Sequence, residues 1–201
     1  MALTSRSEVD IANAALAKLG AGLITSFEDG TAEAVAVRAR FYFCADFVLR
    51  IHPWNCITKR VALAPDAQVP AYYYTQQFTL PSDFLKALDV SDDPEGQDVP
   101  FGERPQYALE GNKILMYNVT TCYLRYVAQY SDPNQLDEGC ASAISAYLAY
   151  DISKILLQND ESQKFLYEQF AKLVDIARAE NAQDKDTSGV ADYYDIARRG
   201  W

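Results

Sequence analysis

Apolar residues recur every third or fourth position in four stretches of the chain and every second position in its middle, which predicts helices at both ends and strands between them. The first stretch, Ser7 to Leu19, puts Val9, Ala12, Leu16 and Leu19 on one stripe. Its opening Ser7-Glu8-Val9-Asp10 has the form of a capping box, and Gly20 ends it. After the polar turn Glu28-Asp29-Gly30-Thr31, a second stretch repeats Val37, Phe41, Cys44, Val48 and Ile51 until Pro53 stops it. A third follows Asp132-Pro133 with Ile144, Leu148, Ile152 and Ile155 on one face. The fourth, after Asn159-Asp160, carries Leu166, Phe170, Leu173, Val174 and Ala177. All eight prolines lie from Pro53 to Pro133, so the flanks are free to be helical and the middle is not.

The middle, Trp54 to Tyr130, holds eight of the 14 tyrosines. Tyr107-Ala108-Leu109 and Ile114-Leu115-Met116-Tyr117 flank the turn Glu110-Gly111-Asn112-Lys113, a hairpin pattern, and Cys122 to Ala128 alternates as a half-buried strand. Tyr72-Tyr73-Tyr74 reads as one more strand. Phe78 to Leu85 reads as a strand end, a proline-led turn and a short helical piece, and Ser91 to Arg104 as an exposed loop. The expected fold class is α+β. A bundle of about four helices comes from both chain ends (1–53 and 134–183), a small antiparallel sheet region is inserted (54–133), and an arm follows (184–201).

Composition narrows the function. The 201 residues, 49% hydrophobic and 23% charged, suffice for one domain or two small ones. A formal charge of -10 argues against a dedicated nucleic-acid binder. No window has the apolar length of a membrane span, and MALTSRSEVD lacks the apolar core of a signal peptide, so a cytosol-like compartment is expected. Cys44, Cys56, Cys122 and Cys140 have neither zinc-knuckle nor redox-pair spacing and read as free buried thiols. His52, the single histidine, stands at a helix end. There is no phosphate loop, and no cofactor or metal is expected. Asp92-Asp93 falls in the exposed loop, and Asp151 with Lys154 reads as a surface pair. Asn118-Val119-Thr120 matches a glycosylation sequon that, without secretion, meets no glycosylating enzyme.

Two features suit binding rather than catalysis. Arg38, Arg40 and Arg50 on the second helix are candidate intersubunit residues, with intramolecular pairing as the plainer alternative. The last nine residues include Tyr193, Tyr194, Ile196, Arg198, Arg199 and Trp201, the residue types of interface anchors, although such a tail also serves by folding back onto its own subunit.

In order along the chain, Ile11 to Gly20, the arginine-bearing helix ending in Pro53-Trp54-Asn55, and Leu80-Pro81-Ser82-Asp83-Phe84-Leu85 resemble the tail tubular protein A family, the head-to-tail adaptors of short-tailed bacteriophages. Leu109 to Leu115, Leu124-Arg125-Tyr126 and the two final helices continue the resemblance. It implies a virion protein assembled in the host cytoplasm: a homo-oligomeric ring of twelve subunits that joins the portal protein to the tail nozzle protein and lets DNA pass through its lumen. Helical bundles would form the wall, and the sheet region would face the distal tail. The arm around Tyr193, Tyr194, Ile196, Arg198, Arg199 and Trp201 would reach the portal. Two other readings stay open, a hydrolase using carboxylates from distant segments and a monomeric binding module using the tyrosine-rich sheet.

Overall fold

The computed structural model describes residues 5–94, 105–157 and 159–185. The fold is α+β. Its contacts divide the chain into a helical unit, the described parts of Met1–Cys56 and Ser131–Trp201, and a sheet unit, Ile57–Tyr130.

In the helical unit, α1 (Glu8–Leu19) starts at the capping box its sequence foretells. Ser7 Oγ accepts from the Asp10 amide at 3.1 Å, and the Ser7 amide donates to the Asp10 carboxylate at 2.8 Å. These bonds from Ser7 hold the Asp10 carboxyl below its ordinary pKa. Gly20, at φ 65°, closes the helix in the left-handed conformation that costs glycine nothing. Thr31 caps α2 (Ala32–Ile51), and Asp137 caps α3 (Glu138–Leu156).

Helix α3 is the hub on which α1, α2 and α4 (Asp160–Lys185) pack. Its small residues Ala141, Ala143, Ala146 and Ala149 are buried and let neighbouring backbones approach, while Ile144, Leu148 and Ile152 fill the space between. Helix α2 contributes Val37, Phe41, Cys44 and Val48 to this core, and α4 contributes Leu166, Phe170, Val174 and Ala177. Trp54 is fully buried and donates its indole N–H to the Val48 carbonyl at 3.0 Å. The distant chain ends are tied together by Arg6, which donates to the Leu136 carbonyl at 2.8 Å and pairs with Glu138. One expected core residue is misplaced: Ile155 is 56% exposed. Periodicity sets its angle around α3, but burial also requires a covering element that reaches its turn.

The sheet unit has six described strands: β1 (Thr58–Leu63), β2 (Gln76–Thr79), β3 (Phe84–Ser91), β4 (Tyr107–Glu110), β5 (Lys113–Met116) and β6 (Cys122–Ala128). They form two antiparallel three-stranded sheets, ordered β1-β6-β3 and β2-β5-β4, where one sheet was expected. Alternate residues of both, Phe78, Ile114 and Met116 from one and Val90, Leu124 and Tyr126 from the other, share one apolar cluster. The β4–β5 hairpin turns through Gly111 at φ 58°.

Two local expectations fail here. Phe84-Leu85 is not helical but opens β3. The Pro81 turn is closed by the Phe84 amide on the Pro81 carbonyl (3.1 Å), and the Gln129 amide pins the Asp83 carbonyl at 2.7 Å, which commits the next residues to pairing with β6. The Asp83 carboxylate accepts from Lys59 at 2.7 Å and from the Tyr126 hydroxyl at 2.9 Å. Burial, with that carboxylate, pushes the Tyr126 hydroxyl up to about 12. Tyr72-Tyr73-Tyr74 is a three-residue turn instead of a strand: the Tyr74 amide donates to the Tyr72 carbonyl at 2.8 Å, with Tyr73 at φ 68°. Of the stretch read as a loop, Ser91 ends β3 and residues 95–104 lie outside the described residues.

Candidate functional site

Helix α2 has a second apolar row beside its buried one. Val35, Ala39, Phe43 and Phe47, four apart, are all exposed, and Phe43 is 70% open to solvent. Tyr42 lies beside this row, also exposed, and its hydroxyl donates to Glu8 at 2.8 Å. From Phe47 an aromatic array crosses the unit. Phe47 stacks on Tyr147 of α3 with ring centroids 4.4 Å apart, Tyr147 meets Phe170 of α4 at 5.0 Å, and Tyr150 meets Tyr167 at 5.2 Å. Exposed Phe165, Tyr167 and Ile176 extend the apolar surface along α4. Sequence reading missed Phe43 and Phe47 because it traced only one stripe on α2. The available signal was the surplus: this helix is apolar on more sides than a single core contact uses.

The candidate arginines are placed as follows. Arg38 pairs with Glu28 at 2.8 Å on the surface. Arg40 grips Asp151 of α3 through two hydrogen bonds, 2.6 and 3.1 Å, and lies 5.6 Å from the centre of the Phe43 ring. Asp151, which the sequence offers to Lys154, thus serves to lock α2 to α3, and its bonds push the Arg40 guanidinium above its already high ordinary pKa. Arg50 is exposed near the end of α2. Arg38 and Arg40 therefore answer charges within the subunit, and Arg40 in addition supports the exposed ring of Phe43. Tyr193, Tyr194, Ile196, Arg198, Arg199 and Trp201 lie outside the described residues.

Exposed tyrosines also gather in the sheet unit, at one end of the β2-β5-β4 sheet. Gln76 and Tyr107 both lie opposite Met116, so Tyr107, Tyr117 and the segment before Gln76 share that end. The Thr75 amide donates to the Met116 carbonyl at 3.1 Å, and the Asn118 amide donates to Thr75 Oγ1 at 2.7 Å, bringing Tyr72, Tyr73 and Tyr117 to neighbouring turns. Tyr72 is 85% exposed. A bulky residue at positive φ is a strained choice, and here it holds aromatic rings in water at a turn.

Among the described residues, several side chains of catalytic type are engaged by their neighbours. His52 caps the C-terminus of α2, its ring edge-on to Trp54 at 5.0 Å. Lys18 Nζ donates to Ser145 Oγ at 2.9 Å, a nucleophile-and-base pairing by residue type, and burial lowers the lysine's pKa. Ser145, however, is only 2% exposed and gives its own proton to the Ser142 carbonyl, so a substrate carbonyl has no approach. The four cysteines are free thiols, three buried and Cys56 half-buried. Burial pushes Cys44 up to about 12 and Cys122 to about 11, while a hydrogen bond from Cys140 lowers Cys56. Asp92 and Asp93 are exposed, and the described residues contain no cluster of histidine, cysteine or carboxylates suited to a metal ion. None of the described helices is long and apolar enough to cross a membrane. The chain matches no known protein family, and no curated protein matches it.

Proposed function

We propose that the chain is a non-enzymatic virion subunit, a head-to-tail adaptor that forms a ring between portal and tail nozzle and lets DNA pass. The observation that carries the reading is the exposed apolar row on α2, continuous through Phe47 with the aromatic array over α3 and α4. Rigid aromatic surface of this kind, ordered by stacking and by the Arg40–Asp151 lock, is the material of a subunit interface. In the ring, this face would meet the neighbouring subunit. The tyrosine-bearing end of the sheet unit would meet the nozzle, and the arm with Tyr193, Tyr194, Ile196, Arg198, Arg199 and Trp201 the portal. The net charge of -10 suits a passage that repels phosphate instead of gripping it.

Imaging of the protein mixed with portal tests this: a closed ring of twelve is expected, docked on the portal. Removing residues 190–201 leaves the subunit folded and abolishes docking. A stable monomer that ignores the portal contradicts the proposal.

A further inference from the structure

Cys56, in the single turn Asn55–Ile57 that follows α2, is the last residue of the chain before the sheet unit, and Cys140 lies in the first turn of α3 after it. The two thiols meet. The Cys140 S–H donates to Cys56 Sγ, and the Asp137 amide donates to the same sulfur. Both backbones are anchored around this contact. The Cys140 amide bonds the Asp137 carboxylate at 2.6 Å, Arg6 holds the Leu136 carbonyl at 2.8 Å, and the Trp54 indole is fixed to the Val48 carbonyl at 3.0 Å. Exposure separates the two sulfurs: Cys56 is half-buried and open to a small reagent, whereas Cys140 has no exposed surface. The start of α3, where the Asp137 amide stands, favours a negative charge on sulfur. The Asp137 carboxylate opposes this, but the donors outweigh it and hold the Cys56 thiol below its ordinary range. Cys44 has no such partner, since its bond is to the Asp151 carboxylate.

We propose that Cys56 and Cys140 form a peroxide-sensitive dithiol that closes to a disulfide, joining the end of the α2 segment to the first turn of α3. The Cys56 thiolate attacks hydrogen peroxide: a sulfur–oxygen bond forms, the O–O bond breaks, and hydroxide leaves to take up the proton that Cys56 released. Cys140 then attacks the sulfur of the resulting sulfenic acid. The S–S bond forms as the S–O bond breaks, and the Cys140 proton leaves with the hydroxyl as water. Together the two sulfurs lose two electrons, and the peroxide is reduced to two waters. A lone exposed thiol would run on to sulfinic acid, but a neighbouring thiol already in contact stops the oxidation at the disulfide, which a dithiol reductant reverses. The closed loop contains all of Ile57–Tyr130, so the bond restricts chiefly the unfolded chain. This site lies within the helical unit and does not depend on the adaptor reading.

The test treats the full-length protein, freed of reductant, with a small molar excess of hydrogen peroxide, then blocks the remaining thiols with iodoacetamide in urea and maps tryptic peptides without reduction. Each cysteine falls on its own peptide: Cys44 on 41–50, Cys56 on 51–59, Cys122 on 114–125 and Cys140 on 126–154. The expected product is 51–59 linked to 126–154 within one chain, with Cys44 and Cys122 still alkylated and both linked thiols restored by dithiothreitol. It should form roughly tenfold or more faster in the folded protein than in urea, because folding holds the two sulfurs together. Cys140→Ser leaves Cys56 as a sulfenic acid that dimedone traps. Cys56→Ser, a change at a half-buried position, melts close to the wild type and leaves Cys140 unoxidised. No linked peptide, a link through Cys44 or Cys122 or between copies instead, or linkage as fast in urea as in the folded protein would each overturn the proposal.

Discussion

The two units solve the problem of holding a surface in place by different means. The helical unit is assembled from chain ends more than a hundred residues apart, tied by Arg6 to the start of α3, and its core closes only when α1, α2 and α4 all lie on α3. The sheet unit is one continuous segment whose cluster comes from facing rows of short strands. Their exposed faces differ in kind. The row on α2 is Val35, Phe43 and Phe47, rings and aliphatics without a polar handle although Tyr42 stands beside it, whereas the most exposed rings of the sheet unit are Tyr72, Tyr73, Tyr117 and Tyr107, whose hydroxyls keep them at ease in water. Apolar surface of the first kind suits a neighbour that stays, and tyrosine surface of the second kind a partner that exchanges.

The largest expected effect falls on the helical unit. Trp54→Ala removes a fully buried indole and its bond to the Val48 carbonyl, at a cost of about 3–5 kcal/mol. Helical circular dichroism is expected to melt first, while the Tyr126 resonance of the sheet unit stays native. Simultaneous loss of both signals would show that the units share one cooperative core.

A smaller effect belongs to the sheet unit alone. Asp66 accepts from Lys113 at 2.6 Å and from Thr79 at 2.8 Å, bonds that hold its carboxyl below the ordinary 3.8. A depressed carboxylate stabilises the fold fully above its unfolded pKa and ceases to do so as pH falls through the folded value. The sheet unit should therefore weaken below about pH 4, and Asp66→Asn should flatten that part of the curve. An unchanged acid slope in the variant would mean that the Lys113 bond contributes nothing.

The smallest effect is kinetic. At pH 8 Cys56, half-buried and lowered by its bond from Cys140, is expected to alkylate before Cys44 and Cys122, whose thiols burial holds neutral. Cys140→Ala should slow Cys56 several-fold. Peptide mapping after a short pulse of iodoacetamide gives the order, and earlier labelling of Cys44 would contradict it.

The same contrast explains what could be read in the sequence. The helices were legible because their signals are local: Ser7 with Asp10, Thr31, Gly20 and the stripe through Val37, Phe41, Cys44 and Val48 lie within a few turns of each other. The hairpin around Gly111 and the strand Cys122–Ala128 were legible for the same reason. β1 was not, because Thr58–Leu63 shows a weak apolar alternation and becomes a strand by pairing with β6, some sixty residues on. The turn at Tyr73 was hidden by the strong strand preference of tyrosine, which the bond from the Tyr74 amide to the Tyr72 carbonyl and that from the Thr75 amide to the Met116 carbonyl override. The site was half visible: the arginines stood out as charges, but only three-dimensional packing shows that Arg40 is committed to Asp151 and that Phe43 is left over.

The central claim is that the leftover aromatic face of α2 is a contact between subunits. Sedimentation of the wild type and of Phe43→Asp, each with portal present, tests it most directly. An exposed position should tolerate the charge, so the variant is expected to melt as the wild type does and to lose ring formation by roughly 30-fold or more in affinity, the loss of a hot-spot residue. Rings that form equally well with a charge at position 43 would contradict it.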